Sequence, residues 1–329
     1  MPLCRSVNMM HELESWKPDR PASKGAAAFH EAVIDASWNH DCLDELIAIA
    51  KPKIKENEVV ADFGAGTGTS SIRILQKFGA KIKLWLVDNS PAWLGKAYEF
   101  LQNYPNVRFF VLEKRGDSYS TLSESIGKEA VNHVISANTF HLVPNIKEAF
   151  KGIAEAIMPN GYFIFNSGNV TRQGRPDGAL MLDSTVYRVH DIAIDIIKQD
   201  SKFAKYRKDL DMKIEKETPQ RMFIFPEPRP IQEYLKALKE SGFKHIEPCY
   251  KCFKLKYDDW LKFLRVKRLQ AGILPEVGGK EPSPEEEQDR DTIITLAAYK
   301  LFDELKRLNP LADDKAYQCE WVYVSAVKM

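Results

Sequence analysis

Between Val59 and Ile74 the chain reads VVADFGAGTGTSSIRI. Glycines stand at the alternate positions 64, 66 and 68, after an apolar run carrying Asp62 and before a helical pattern. A buried strand that passes through bare backbone into a helix is the repeating unit of a parallel α/β sheet. Glycine there tolerates positive φ and lets backbone come close to a ligand. The helix that follows turns its positive pole toward the same place, which favours a carboxylate or phosphate.

The same rhythm continues downstream. EVVADF, IKLWLVD, VRFFVLEK, VNHVISAN and GYFIFNSG read as strands. TSSIRILQKF, PAWLGKAYEFLQNY, YSTLSESIG and VPNIKEAFKGIAEAIM read as the helices between them. Pro91 fits a first helical turn, where its missing N–H costs nothing. Alternation of this kind implies a parallel sheet covered on both faces, with right-handed crossovers. After Gly168 the rhythm breaks. Residues 170–226 carry an apolar stripe, Val186, Val189, Ala193, Ile196 and Ile197, and then the prolines 226, 228 and 230. The helix IQEYLKALKESGF and the strand HIEPCYKCFKL resume it, a second helical insertion follows, and YQCEWVYVSAV is the last strand. The stretch GILPEVGGKEPSPEEEQ inside that insertion reads as a mobile, solvated loop.

The chain reads as one domain over residues 1–329. A helical lid occupies 1–50, of which 1–24 read as a loose arm or a lid, and 51–168 form the ligand-binding core. Residues 170–226 are a helical insertion, 227–257 a core helix and strand, 258–316 a second insertion, and 317–329 the final strand. A formal net charge of +1 argues against a dedicated nucleic-acid binder, and no apolar run of about 18 residues exists to span a membrane. The start of the chain has no apolar core of a secretory signal. Cys4, Cys42, Cys249, Cys252 and Cys319 form an odd, scattered set that fits a reducing cytoplasm. CYKC at 249–252 lies on a predicted strand, where residues three apart face opposite ways, so no metal site is expected.

The glycine spacing narrows the motif. The dinucleotide fingerprint needs a third glycine at position 69, which is Thr69, and no Gly-Lys-Ser/Thr follows to make a phosphate loop. What remains, acidic-x-G-x-G-x-G, resembles the first motif of class I, Rossmann-like S-adenosylmethionine-dependent methyltransferases. Further features fall in the family's order: Asp88 ending the second strand 24 positions after Gly64, Asp117 and Ser118 after the third, Asn138 after the fourth, AIMPNGYFIF, and YLKALKESGFKHIE. The likeness covers 55–168, 230–256 and 318–328. It implies a three-layer, doubly wound α/β fold whose mostly parallel seven-stranded sheet has its last strand antiparallel, with the insertions as helical caps. It also implies S-adenosyl-L-methionine as cofactor. Asp62, Gly64, Ala65, Gly66, Thr67 and Gly68 would cradle it, Asp88 with Asn89 would hold its ribose, Asp117 and Ser118 would approach the adenine, and Asn138 would lie beneath the methionine.

The resemblance further implies methyl transfer to a small, fairly apolar acceptor in an enclosed pocket, since both insertions are helical and no Asn/Asp-Pro-Pro-aromatic motif of nucleic-acid amino methyltransferases follows strand four. His141 is the candidate base or acceptor contact. His30, Trp38, His40, Tyr119 and Tyr187 are candidate acceptor contacts, with Asn39, Arg188 and His190 near them. The 170–226 insertion suits a homodimer contact as well as a lid. DDWLKFLRVKRLQAG reads as a cap helix with a core-facing stripe rather than a membrane-surface helix. A nicotinamide-dependent oxidoreductase on a related sheet and a non-catalytic S-adenosylmethionine-binding scaffold are the competing readings.

Overall fold

The computed structural model describes residues 13–329; Cys4 and the rest of 1–12 lie outside the described residues. Seven strands form the main sheet: β1 Val59–Phe63, β2 Lys83–Asp88, β3 Val107–Val111, β4 Val131–Ala137, β5 Ile157–Ser167, β6 Phe243–Lys256 and β7 Ala316–Lys328. Their order is β6-β7-β5-β4-β1-β2-β3. β1 to β5 pair in parallel, while β7 runs antiparallel to both β5 and β6. The chain therefore winds outward from β1 in both directions, and the order reverses between β4 and β2. That is where parallel sheets of this kind bind ligands.

Successive side chains on the central strands feed opposite layers. Val60, Leu84, Leu86, Ile135 and Ile164 join one apolar cluster. Ala61, Val87, Val134, Phe163 and Phe165 join the other. The first layer includes residues of α1 Lys24–Val33, α2 Ser37–Ala50, α3 Thr69–Phe78 and α4 Pro91–Leu101. The second includes α5 Leu122–Ile126, α6 Ile146–Ala156 and α9 Ile231–Glu240. Burial on both faces explains why these strands are near-continuous apolar runs.

The insertions supply α7 Leu182–Gln199 and α8 Leu210–Ile224, then α10 Tyr257–Leu264, α11 Lys267–Ile273 and α12 Pro284–Leu308. α7 packs along α12, and α8 against α11. The two insertions thus make one cap, and its apolar residues belong to the same cluster as the first sheet layer. Trp260, Leu264, Leu269 and Ile273 are buried, so the stripe of α10 and α11 faces the core. Among the described residues no helix is long and apolar enough to cross a membrane. The thiols of β6 follow strand alternation: Cys249 packs on the core, whereas Cys252 is exposed.

Three local expectations are corrected. The described part of the arm is docked rather than loose: Trp16 N–H donates to Phe109 O at 2.8 Å, and Phe109 N–H to Ser15 Oγ at 3.0 Å. These bonds cover the open edge of β3, whose groups would otherwise be unpaired. The helix expected over YSTLSESIG starts only at Leu122. Gly116, at φ 60°, turns Lys114–Arg115 back onto Ser118–Tyr119 as a hairpin, and Thr121 with Glu124 makes a capping box. The stretch 272–288 is a solvated loop only in its middle, over 280–283. Ile273, Leu274, Glu276 and Val277 are buried, and Arg290 donates to the carbonyls of Val277 and Gly279. The acidic run opens α12, with Ser283 and Glu286 capping each other reciprocally. Ser283→Ala is expected to cost about 1 kcal/mol in urea denaturation.

Candidate functional site

The loop after β1 uses its glycines mainly for conformation. Gly64, Gly66 and Gly68 have φ of 74°, 54° and 85°. The amides of Gly64 and Ala65 both donate to Val87 O, at 2.8 and 3.1 Å, and lash the loop to β2. Gly68 N–H donates to Ala65 O at 2.9 Å. A Cβ on Gly64 would meet the Thr139 side chain at 2.3 Å, and one on Gly68 would meet Ala97 Cβ at 2.8 Å. On Gly66 it would make only ordinary contacts, with the Trp93 ring at 3.5 Å and Gly64 O at 4.0 Å, so the loop's open side lies there. Thr67 is buried beside His30.

Two carboxylates flank this loop on adjacent strands. Asp62 is fully buried; one oxygen accepts from the hydroxyls of Ser70 and Ser71 at 2.6 and 2.5 Å, fixing the first turn of α3. Its other oxygen, Oδ1, is buried without a partner. Burial raises its pKa to about 6, against the pull of the two hydroxyls. A folded-state pKa above the unfolded one favours the protonated form on folding, so this contribution is complete below about pH 4 and lost as pH rises through 6. The unliganded protein is expected to lose stability on the order of 2 kcal/mol across that window from this group, and Asp62→Asn to remove that slope in thermal melts.

Asp88, at the end of β2, accepts from Gly66 N–H and Ser90 N–H, both at 2.8 Å. Burial raises its pKa, opposed by those amides, that of Asn89 and the Arg268 guanidinium. Arg268 comes from α11 and lies 4.7 Å from the centre of the Trp93 ring. Trp93 in turn packs on Phe29 at 4.5 Å, and His30 stacks on Phe100 at 4.7 Å. The lid helix α1 and the cap helix α11 therefore close over the loop. Trp93 was discoverable, being in the first turn after Asp88. Arg268 carries no local signal, because its position depends on how the late insertion folds back.

The remaining predicted contacts separate into groups. Asn138, at φ 50°, is a tie between strands: its Oδ1 accepts from Trp321 Nε1 at 2.9 Å and from Gly168 N–H at 3.3 Å. Trp38 is buried and stacks on Trp321 at 5.9 Å. His141 sits in the turn after β4, its Nδ1 3.5 Å from Ser167 Oγ, and burial with nearby Arg229 lowers its pKa to about 4. Tyr187 donates to Phe225 O at 2.9 Å, and His190 meets Glu276. His40 bonds Ile34 O, and Asn39 donates to Val33 O, so both hold the α1–α2 turn. Arg188 pairs with Glu304 at the surface. Asn89 is exposed. Asp117, Ser118 and Tyr119 lie exposed on the hairpin, with Ser118 Oγ donating to Arg115 O. Among the described residues no cluster of three metal-ligating side chains occurs.

Comparison with known proteins gives a family. A family model described as a methyltransferase domain matches residues 54–227. No curated protein matches. Among solved structures, a phosphoethanolamine N-methyltransferase 2 from Haemonchus contortus, in complex with phosphomonomethylethanolamine and S-adenosylhomocysteine, aligns at 19% identity and TM-score 0.48. The alignment covers 92% of this chain but only 57% of that one. The YcgJ protein of Bacillus subtilis aligns at 14% identity and TM-score 0.49, over 88% of this chain and 98% of that one.

Proposed function

This chain belongs to the methyltransferase domain family, and from that premise we propose that it transfers a methyl group from S-adenosylmethionine to a small acceptor enclosed beneath the helical cap. The observation that carries the reading is the pair of buried carboxylates, Asp62 and Asp88, on either side of the G-x-G-x-G turn where the strand order reverses. Asp62 Oδ1, buried and unpartnered, fits the ammonium of the donor's amino-acid end. Asp88 has the acceptor capacity to take ribose hydroxyls in addition to its two amides. Gly66 leaves room for a ligand beside Trp93. S-adenosylmethionine supplies a methyl group on a sulfonium, an activated leaving group for in-line displacement.

The protein's share of such a reaction is alignment and exclusion of water, which can supply much of the rate. α1 and α11 cover the loop, and Trp38, Trp260 and Trp321 form an apolar wall beyond Asn138. That wall supports a fairly apolar acceptor. His141 is the group proposed to touch it. At neutral pH its imidazole is uncharged, but a pKa near 4 makes it a weak base, so it orients an acceptor better than it deprotonates one. The reducing cytoplasm remains the proposed compartment: all four described cysteines are free.

Titration calorimetry tests the reading. S-adenosylhomocysteine is expected to bind at micromolar or tighter affinity, and NADH to give no heat. NADH binding without S-adenosylhomocysteine binding would replace this proposal with the oxidoreductase.

A further inference from the structure

Asp183, Tyr187 and His190 are spaced four and three residues apart on α7 and share one face of it. Arg221 of α8 and Glu276, from the turn after α11, belong to the same buried layer. His190 Nε2 lies 3.2 Å from Glu276 Oε1, and Arg221 donates to that same oxygen. Three side-chain atoms in this layer are buried with no hydrogen-bond partner: Asp183 Oδ2, Arg221 Nε and Glu276 Oε2. Native proteins leave few such atoms, because each costs its desolvation without return. Arg221 and Glu276 are already paired with each other, whereas Asp183 Oδ2 is left for a ligand to complete.

The layer begins at the carboxyl ends of β4 and β5. Asp183 N–H donates to Asn169 Oδ1 at 2.7 Å. Asn169 follows Gly168, whose own N–H donates to Asn138 Oδ1 at 3.3 Å. Asp183 is therefore tied, through two hydrogen bonds, to the carboxyl ends of β4 and β5. Trp321 and Leu182 both crowd Gly168: a Cβ there would lie 3.0 Å from the Trp321 ring and 3.2 Å from Leu182 Cβ. The apolar wall thus adjoins the residue preceding Asp183.

Charge decides what fits. Glu276 has a guanidinium on it. Asp183 is 4% exposed, has only Asn169 as a favourable neighbour, and its carboxyl is pushed up to about 7 by burial. An ionised carboxylate in such a place calls for a cation from outside the chain. We propose that the acceptor is an amine carried on an apolar body, and that Asp183 is the counter-charge that holds its ammonium group. The inference rests on the methyl-transfer reading and narrows its substrate class. Asp183 binds the cationic form; for transfer to that nitrogen the ammonium first gives its proton to the Asp183 carboxylate, and the freed lone pair then forms the N–C bond as the methyl–sulfur bond breaks and S-adenosylhomocysteine leaves.

The test uses two probes of nearly equal shape, 2-phenylethylamine and 2-phenylethanol, titrated at pH 8 into the full chain saturated with S-adenosylhomocysteine, with indole fluorescence as the readout. The wild type is expected to bind the amine at least tenfold more tightly than the alcohol. Asp183→Asn is expected to bind the two alike, while keeping wild-type affinity for S-adenosylhomocysteine, which also certifies its fold. A wild type that binds amine and alcohol equally overturns the inference and leaves methyl transfer standing. So does an Asn variant that keeps the preference. A wild type that fails to bind S-adenosylhomocysteine at all overturns the methyl-transfer reading, and this inference with it.

Discussion

Gly64→Ala is expected to destabilise the protein by about 3–4 kcal/mol and to remove binding of S-adenosylhomocysteine. Two penalties add. The φ of 74° places any L side chain in the left-handed region, at a cost of about 1–3 kcal/mol where the surroundings enforce it. They do enforce it, because Gly64 N–H and Ala65 N–H are both fixed to Val87 O. The new methyl would also sit 2.3 Å from Thr139 Cγ2 and Oγ1 and 2.8 Å from its Cβ, an overpacking worth about 1–3 kcal/mol. Thr139 cannot simply rotate away, since its own Cβ is in the path. The double variant Gly64→Ala with Thr139→Gly is therefore expected to recover the overpacking share in urea denaturation but not the backbone share. A Gly64→Ala protein as stable as the wild type would show that this loop can take another shape, and the site built on it would fall. Gly66→Ala is the contrasting case. Its Cβ makes only ordinary contacts, the nearest with the Trp93 ring at 3.5 Å, so its stability cost is expected to be near 1 kcal/mol.

These glycines show what a sequence carries and what it hides. Alternate glycines after a buried strand announce a bare turn before a helix, and the run of apolar strands announces a sheet covered on both faces. The order of strands follows from the family pattern, which β7 completes by running antiparallel. The occupancy of the loop's amides is not written locally. Gly64, Ala65 and Gly66 send theirs to Val87 O and Asp88 Oδ2, partners more than 20 residues away. The start of the helix expected over YSTLSESIG shifts for a local reason: Arg115-Gly116-Asp117-Ser118 is turn chemistry, and Gly116 at φ 60° makes a hairpin that takes in Ser118 and Tyr119. Arg268, Arg221 and Glu276 were invisible for the opposite reason. Arg221 and Glu276 acquire meaning only when two insertions, separated by a helix and a strand of the sheet, fold onto one another, and Arg268 only when the second folds back over the core. Charged residues in an exposed-looking helical stretch resemble a solvated face until a partner from elsewhere buries them.

Asp88→Ala is expected to weaken S-adenosylhomocysteine binding about 100-fold, close to 2.7 kcal/mol, as charge-assisted hydrogen bonds are worth about 1.5–3 kcal/mol. The carboxylate has three duties. It takes Gly66 N–H and Ser90 N–H, which set the shape of the loop and of the turn into α4. It balances the Arg268 guanidinium that α11 brings over Trp93. It offers its remaining lone pairs to a ribose. Alanine ends all three, whereas Asp88→Asn keeps one accepting oxygen, and so one of the two amide bonds, but neither the other bond nor the charge, so its loss is expected to be nearer tenfold. Unfolding does not explain either loss if melts are made alongside. Burial already holds the Asp88 pKa up, so removing the charge relieves a desolvation cost that offsets part of the lost hydrogen bonding. The thermal midpoint is therefore expected to move far less than the affinity. Equal affinities for wild type and Asp88→Ala would place the donor elsewhere, and the ordering wild type, Asn, Ala would tie it to this strand end.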